Sequence, residues 1–400
     1  MRFLLLYEAL YPDRIGGVET RNRELARALV RRGHRVTLAG LSSPLPGEPP
    51  GLDVLSLGPS PRLYNEAGRR STRGALRFAA ATMRVDLSPY DLVESANMPY
   101  VHLLPLAARC ARAGKPLLVT WYEYWDRYWR GYVGAAKAPA YRAVEWVTAQ
   151  LGDAAIATSR LTQQRLAARR RRRGEVALLP CGIEVPRVVA AAAAGAADPR
   201  PAPPLVYAGR LLAHKRLDLL LRAVPLLAAR RVSAPGARLL TVFGEGPDRA
   251  RLEALTAELG VAALVRFRGH VDTSEEVWHE LGRARVAVQP SAREGFGLFP
   301  LEAMAAGLPV VHCDSSESAV DELVRDGVEG IGTAATPEAL ATALGALLAD
   351  PAARQRLATA ARARAAEYDY DVIAAHFEEV AVRLVRASAP PPAASPPARG

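Results

Sequence analysis

The chain has 400 residues, half of them hydrophobic and 23% charged, which argues against a disordered polymer and gives length for about two cores of ordinary domain size. Its 52 basic and 41 acidic residues leave a formal charge of +11, a bias towards anions that does not choose between nucleotide phosphates, lipid headgroups and nucleic acid. Three scattered cysteines (Cys110, Cys181, Cys313) support neither a disulfide framework nor a CxxC zinc site and fit a reducing compartment, and no apolar run approaches the roughly 20 residues that span a bilayer.

Short β-branched or leucine-rich runs alternate with helix-length amphipathic segments, the pattern of βαβ units around parallel sheets. The first run, around Phe3-Leu4-Leu5-Leu6 and broken at Glu8, is too short for a signal-peptide core and reads as a strand over Arg2–Tyr7. After it comes Ile15-Gly16-Gly17-Val18-Glu19, either a tight turn or a place where backbone approaches a ligand. Further strands are expected over Arg35–Ala39, Asp53–Leu57, Leu92–Glu94, Pro116–Thr120, Ala154–Ala157 and Val176–Leu179. His34 falls in a helix-to-strand turn and His102 opens an apolar helix, so neither is read as a catalyst.

The segment Thr120-Trp121-Tyr122-Glu123-Tyr124-Trp125-Asp126-Arg127-Tyr128-Trp129 concentrates aromatics beyond a strand and reads either as a stacking platform for an acceptor, with Tyr122, Glu123 and Trp125 on that side, or as a packed loop between domains. Arg69, Arg70, Arg73, Arg77 and Arg84 and the run Arg169–Arg173 make the first half basic, which fits a solvated face or peripheral contact with anionic lipid. Nucleic acid is not an expected partner. Residues 186–204, rich in alanine, proline and glycine, read as a connection between an N-terminal domain over 1–185 and a C-terminal domain over 205–370.

The strand pattern restarts over Leu205–Ala208, Leu239–Phe243, Val265–Phe267, Val286–Val288, Pro309–His312 and Val328–Ile331, and no repeat of solenoid period is visible. Strand ends carry glycines and cations: Gly209-Arg210 with Lys215 five positions on, Phe243-Gly244-Glu245-Gly246, and Gly269-His270-Val271. With no metal motif in view, Arg210 and Lys215 suit the charge of a leaving diphosphate, although a solvated helix start gives the same pattern. The densest segment, Arg293-Glu294-Gly295-Phe296-Gly297-Leu298-Phe299-Pro300-Leu301-Glu302, follows a strand and enters a helix, so its amides are placed to meet a diphosphate. Glu294 and Glu302 suit two diols of one extended ligand, or are two solvated carboxylates. A last helix over Asp371–Arg386 precedes a proline-rich tail, Ala387–Gly400, expected to be disordered.

The segment REGFGLFPLEAMAAGLPVV, with GRL-x3-K upstream, resembles the GT4 family of retaining glycosyltransferases, strongly from Leu205 to about Gly332 and more weakly over Met1–Ile183. The resemblance implies a GT-B fold: α/β, two Rossmann-like doubly wound domains facing a central cleft, the last helix crossing back to the N-domain. It implies transfer of a sugar, with retained configuration and without a protein nucleophile, from a nucleotide sugar to an unidentified glycan, lipid-linked sugar or small metabolite. In that family's terms Glu294, Arg210 and Lys215 take the catalytic roles. Gly16, Gly17, Gly209, Gly244, His270, Val271, Gly295, Phe296, Gly297, Leu298 and Glu302 then line the donor. No metal or cofactor is implied, because the nucleotide sugar, UDP- or GDP-linked, is a substrate. Tyr122 stands where many relatives carry histidine. The alternatives are a silent binder of nucleotide sugars or polyanions, and a phosphorylase or sugar-phosphate synthase of the same fold. The expected location is the cytoplasm, with any membrane contact on its inner face.

Overall fold

The computed structural model describes residues 1–13, 16–43, 47–60, 71–171, 174–230 and 237–388. Each apolar run expected to be a strand is one, shifted by at most two residues at either end. The first sheet contains β1 (Arg2–Ala9), β2 (Arg35–Leu41), β3 (Leu52–Ser56), β4 (Leu92–Ala96), β5 (Leu117–Trp121), β6 (Ala154–Ala157) and β7 (Val176–Leu178), in the order β3-β2-β1-β4-β5-β6-β7. All its pairings are parallel, Phe3 lying opposite Val36 on one side and Leu92 on the other. A central parallel strand is covered on both faces, and this is why β1 reads as a continuous apolar run rather than an alternation.

The second sheet contains β8 (Leu205–Ala208), β9 (Leu240–Phe243), β10 (Val265–Gly269), β11 (Val286–Gln289), β12 (Val310–Cys313) and β13 (Gly330–Thr333), in the order β10-β9-β8-β11-β12-β13. The winding reverses between β1 and β4 in one domain and between β8 and β11 in the other. Ligands of doubly wound sheets gather at such points, beyond the carboxyl ends of the strands. Here those two ends face each other.

The segment expected as a bare connection, 186–204, is instead largely helix, Val185–Ala196. Alanine is the strongest helix former, and this run gains a face to bury, Val188, Ala192 and Gly195, against the helix Ser274–Arg283. The two helices touch backbone to backbone. A Cβ on Gly195 would lie 1.8 Å from the His279 carbonyl oxygen, and one on Gly282 1.8 Å from that of Ala192.

The chain leaves the N-domain through Cys181–Glu184 and returns beside the same point. Ile183 N–H donates to Tyr368 O at 3.0 Å and Tyr370 N–H donates to Ile183 O at 3.1 Å. The last helix, Tyr370–Ser388, then buries Tyr370, Ile373, Phe377, Val380 and Leu384 in the N-domain core with Phe3 and Leu25. Phe377 meets Phe3 edge to face at 5.8 Å, and Arg31 pairs with Asp371 at 2.7 Å. Ala387 and Ser388, expected in the tail, end this helix; residues 389–400 lie outside the described residues.

Candidate active site

The C-domain side of the cleft is built on the carboxyl ends of β8 and β11. Gln289 ends β11, and its side-chain amide, the Ser291 hydroxyl at 3.0 Å and the Lys215 ammonium at 2.5 Å all donate to Glu294 Oε1. Glu294 and Lys215 are thus one ion pair, 79 positions apart in sequence, with the carboxylate fixed in place by three donors. Arg210 is exposed on the same rim, where its charge, with those of Lys215 and Arg293, bears on His214. Burial first, and then Lys215, push the His214 imidazole down to about 4.

After Glu294 the loop passes Gly295 and Phe296 to Gly297, which adopts φ +107° and directly precedes the helix Leu298–Ala306. A left-handed turn at that point requires glycine and leaves the first amides of the helix facing the cleft. Glu302 lies one turn on. Burial raises its carboxyl to about 7, opposed by the Trp278 indole. Gly209 and Gly244 stitch the neighbouring strand ends together: Gly209 N–H donates to Phe243 O at 3.1 Å, Gly244 N–H to Gly269 O at 2.7 Å, and a Cβ on Gly244 would lie 2.0 Å from Gly209 O. His270, exposed, and Val271, half-buried, follow β10, three strands from β11, so the structure sets them apart from Glu294 along the same edge.

Across the cleft, Gly17 opens the helix Gly17–Arg31, and a Cβ there would come 2.9 Å from Leu298 Cδ1. Two helix N-termini therefore face one another, each presenting its first-turn amides and the positive end of its dipole. A dianion is the natural occupant of such a gap. Gly16 caps the first of these helices beside the Glu19 carboxylate, and Ile15 lies outside the described residues. Gly295 is pressed against the N-domain, where a Cβ would meet both Tyr122 O and Glu123 Cγ at 2.4 Å.

The aromatic loop beyond β5 is packed rather than open. Trp125 has Trp129, Tyr132 and Tyr128 at ring-centroid distances of 4.6, 4.9 and 5.1 Å. Its shape is set by Glu145, the buried and only acid of the helix Ala138–Ala149. That carboxylate accepts from Trp125 N–H (2.7 Å), Asp126 N–H (2.9 Å), Trp129 Nε1 (3.0 Å) and Tyr100 OH (3.2 Å). Asp126 is thereby held at φ +42°, rare for a non-glycine residue, and its own carboxylate takes Arg142 and Arg169. Burial pushes the Tyr122 hydroxyl well above its ordinary value, so it stays protonated.

Of the run Arg169–Arg173, Arg169 and Arg171 are exposed, as a solvated stretch would be, and Arg170 departs from that expectation. Arg169 pairs with Asp126, and Arg170 turns inward to the carbonyls of Ala149, Leu151 and Gly152; residues 172 and 173 lie outside the described residues, as do Arg69 and Arg70. Arg73, Arg77 and Arg84 are exposed. Sequence reasoning missed Glu145, His214, Gln289 and Arg293. A lone acid among the mostly apolar residues of Ala143–Val147 was the available signal for Glu145. Arg293 gave none, since a charge beside a loop reads as solvated. Among the described residues no three His, Cys, Asp or Glu side chains are grouped to hold a metal, and no helix is long and apolar enough to cross a membrane.

Residues 15–187 match Glycosyltransferase Family 4, and residues 197–364 match Glycosyl transferases group 1. The glycogen synthase of Mycobacterium tuberculosis is 38% identical over 189 residues, 47% of this chain and 44% of that protein. The D-inositol 3-phosphate glycosyltransferase of Streptomyces griseus is 36% identical over 182 residues, 44% of this chain and 38% of that protein. The matches thus span less than half the length of these curated relatives. Among solved structures, sucrose-phosphate synthase from Thermosynechococcus elongatus superimposes with TM-score 0.77 at 23% identity, covering 96% of this chain and 99% of the other. Anabaena HepE in complex with UDP-glucose gives 0.73 at 19% identity, covering 96% and 100%. The architecture is GT-B.

Proposed function

Because the chain belongs to glycosyltransferase family 4, with a group 1 C-terminal half, we propose that it transfers a sugar from a nucleotide-sugar donor seated on the C-domain to an acceptor lying against the N-domain. The observation that carries this reading is the convergence, on one gap, of the Lys215–Glu294 pair and the facing helix ends at Gly17 and Leu298. In this reading the diphosphate takes that gap, and Arg210 and Lys215 stabilise its charge as it leaves. Glu302 holds the ribose diol. Glu294, already fixed by three donors, orients the sugar, and the configuration is retained by attack from the face the diphosphate departs, with no covalent intermediate on the protein. A metal is not required for charge balance where two cations and two helix dipoles converge.

A UDP- or GDP-linked donor is the working assignment, supported on the UDP side by the GT-B neighbour crystallised with UDP-glucose. The test is a thermal-shift screen of the full chain against UDP, GDP, ADP, TDP and their common sugar conjugates. A selective rise in Tm that Glu302→Ala weakens at least about tenfold in ligand concentration supports the site. No rise with any nucleotide overturns it and favours a silent polyanion binder, whereas binding followed by release of a sugar phosphate favours the phosphorylase or synthase alternative.

The acceptor, in this proposal, is met at an anionic membrane surface. The helix Thr72–Thr82 and the residues after it expose Leu76 and Met83 beside the exposed Arg73, Arg77 and Arg84, apolar and cationic groups together, as interfacial helices do. Cosedimentation with phosphatidylglycerol vesicles but not phosphatidylcholine vesicles is expected. Equal recovery with both, or loss of neither on Arg73→Glu/Arg77→Glu substitution, removes the membrane from the account.

A further inference from the structure

Arg293 is the residue immediately before Glu294, yet its guanidinium belongs to the other side of the cleft. It is 5% exposed. Nε donates to Glu123 Oε2 of the N-domain at 2.8 Å, Nη1 donates to Glu317 Oε2 of the C-domain at 2.9 Å, and the guanidinium carbon stands 4.3 Å from the Tyr128 ring centroid and 5.8 Å from that of Trp125. Glu317 in turn accepts both terminal nitrogens of Arg165, an N-domain residue, at 2.8 and 3.0 Å. Charges therefore alternate across the gap as Arg165, Glu317, Arg293 and Glu123, crossing from N-domain to C-domain and back.

Three features separate this arrangement from an ordinary buried arginine. First, of its four partners, Glu123, Tyr128 and Trp125 lie in the opposite domain, so opening the cleft strips a desolvated guanidinium of all but Glu317. Opening returns the guanidinium to water but gives up a charge-assisted hydrogen bond to Glu123 and two aromatic faces at once, so these contacts favour the closed state together. Second, the partners are themselves immobilised: Glu145 fixes Trp125 and Asp126 from below, and Glu123 is wedged on Gly295 of the same donor loop. Third, the Tyr128 ring that receives Arg293 also places its hydroxyl 3.0 Å from His214 Nδ1, and His214 is the immediate neighbour of Lys215. One aromatic side chain of the N-domain thus touches the residues next to both halves of the Lys215–Glu294 pair.

We propose that Arg293 is a positioning residue that joins the aromatic loop of the N-domain to Glu294, so that closing the cleft and aligning the donor sugar are a single event. This rests on the donor-site reading above. The carboxylate of Glu322, which accepts the Arg160 and Leu161 amides at the N-terminus of the helix Arg160–Arg169 (2.6 and 2.7 Å), braces the same interface further out. Arg293 and its aromatic cage supply the part of closure that reaches the chemistry.

The test uses the full chain with Arg293→Met, Arg293→Lys, Glu123→Gln and the Arg293→Met/Glu123→Gln pair. Small-angle X-ray scattering is measured with and without UDP, and hydrolysis by water is followed for whichever nucleotide sugar gives the largest thermal shift. The expected result is an expanded radius of gyration in Arg293→Met and Glu123→Gln, no further expansion in the double variant, and partial recovery in Arg293→Lys. For hydrolysis, kcat falls by at least about tenfold while KM stays within about twofold, because the loss is in alignment rather than in donor contacts. Wild-type scattering and kcat in Arg293→Met overturn the coupling, as does a kcat loss that only follows a lowered Tm. The two readings fail differently. If no nucleotide binds, the donor site is wrong while scattering still reports on the latch; if nucleotides bind in a manner sensitive to Glu302 and Arg293→Met behaves as wild type, the coupling alone is wrong.

Discussion

Burial acts in opposite senses on two side chains of the cleft. Glu302 is raised to about 7 and His214 is lowered to about 4, chiefly because each charged form is poorly solvated where it sits. The raised carboxyl contributes stability that is complete below its unfolded value near 4.5 and is lost as pH climbs through 7. The lowered imidazole contributes stability that is complete above about 6.5 and is lost as pH falls through 4. Glu302→Gln removes a carboxylate that is ill-solvated without ligand, so the variant is expected to melt a few degrees above wild type at pH 8 and at or below it near pH 5, by differential scanning calorimetry. A Tm difference of the same sign and size at both pH values would show that Glu302 does not titrate in this range. At this scale the sequence revealed contiguous chemistry: Glu294, Glu302 and the glycines between them stand in one stretch. It did not reveal the role of Arg293, whose partner Glu123 is 170 positions away, because nothing local distinguishes a guanidinium that will be buried from one that will be solvated.

Strand positions were readable because a parallel strand covered on both faces leaves an unbroken apolar run, and the reading erred only at the ends. The helix Val185–Ala196 was not readable. Alanine and valine on all sides give no polar face, so no period appears, and the reason for its helicity lies 88 residues on in the helix Ser274–Arg283 that covers it. That contact gives the clearest element-scale prediction. Gly282→Ala would drive a methyl group into the Ala192 carbonyl, forcing the helices apart at a cost of about 2–4 kcal/mol. Urea unfolding should show this loss as a lowered midpoint. An unchanged midpoint would mean that the helices can separate freely, against the tight crossing described here. The aromatic loop teaches a related lesson. Its composition left open whether it stacks on a ligand or packs on itself, and only the four donors converging on Glu145 show how it is held.

At the scale of the whole molecule, the two-domain division was legible from the restart of the strand pattern, but the traffic between domains was not. Contacts across the cleft, Arg293 to Glu123, Arg165 to Glu317 and Glu322 to the helix Arg160–Arg169, join segments with no shared local pattern. The same holds for the double crossing at Ile183 and Tyr370, where outgoing and returning backbones are hydrogen-bonded to each other. That crossing has a bearing on how the molecule is made. The helix Tyr370–Ser388 is part of the N-domain core, yet it leaves the ribosome only after the whole C-domain has emerged. Until then the groove beside Phe3 and Leu25 stands open, its apolar lining available to chaperones or to another nascent chain. The first half synthesised is thus the last to be completed, and a chain that stops short of Phe377 is defective at its beginning rather than at its end.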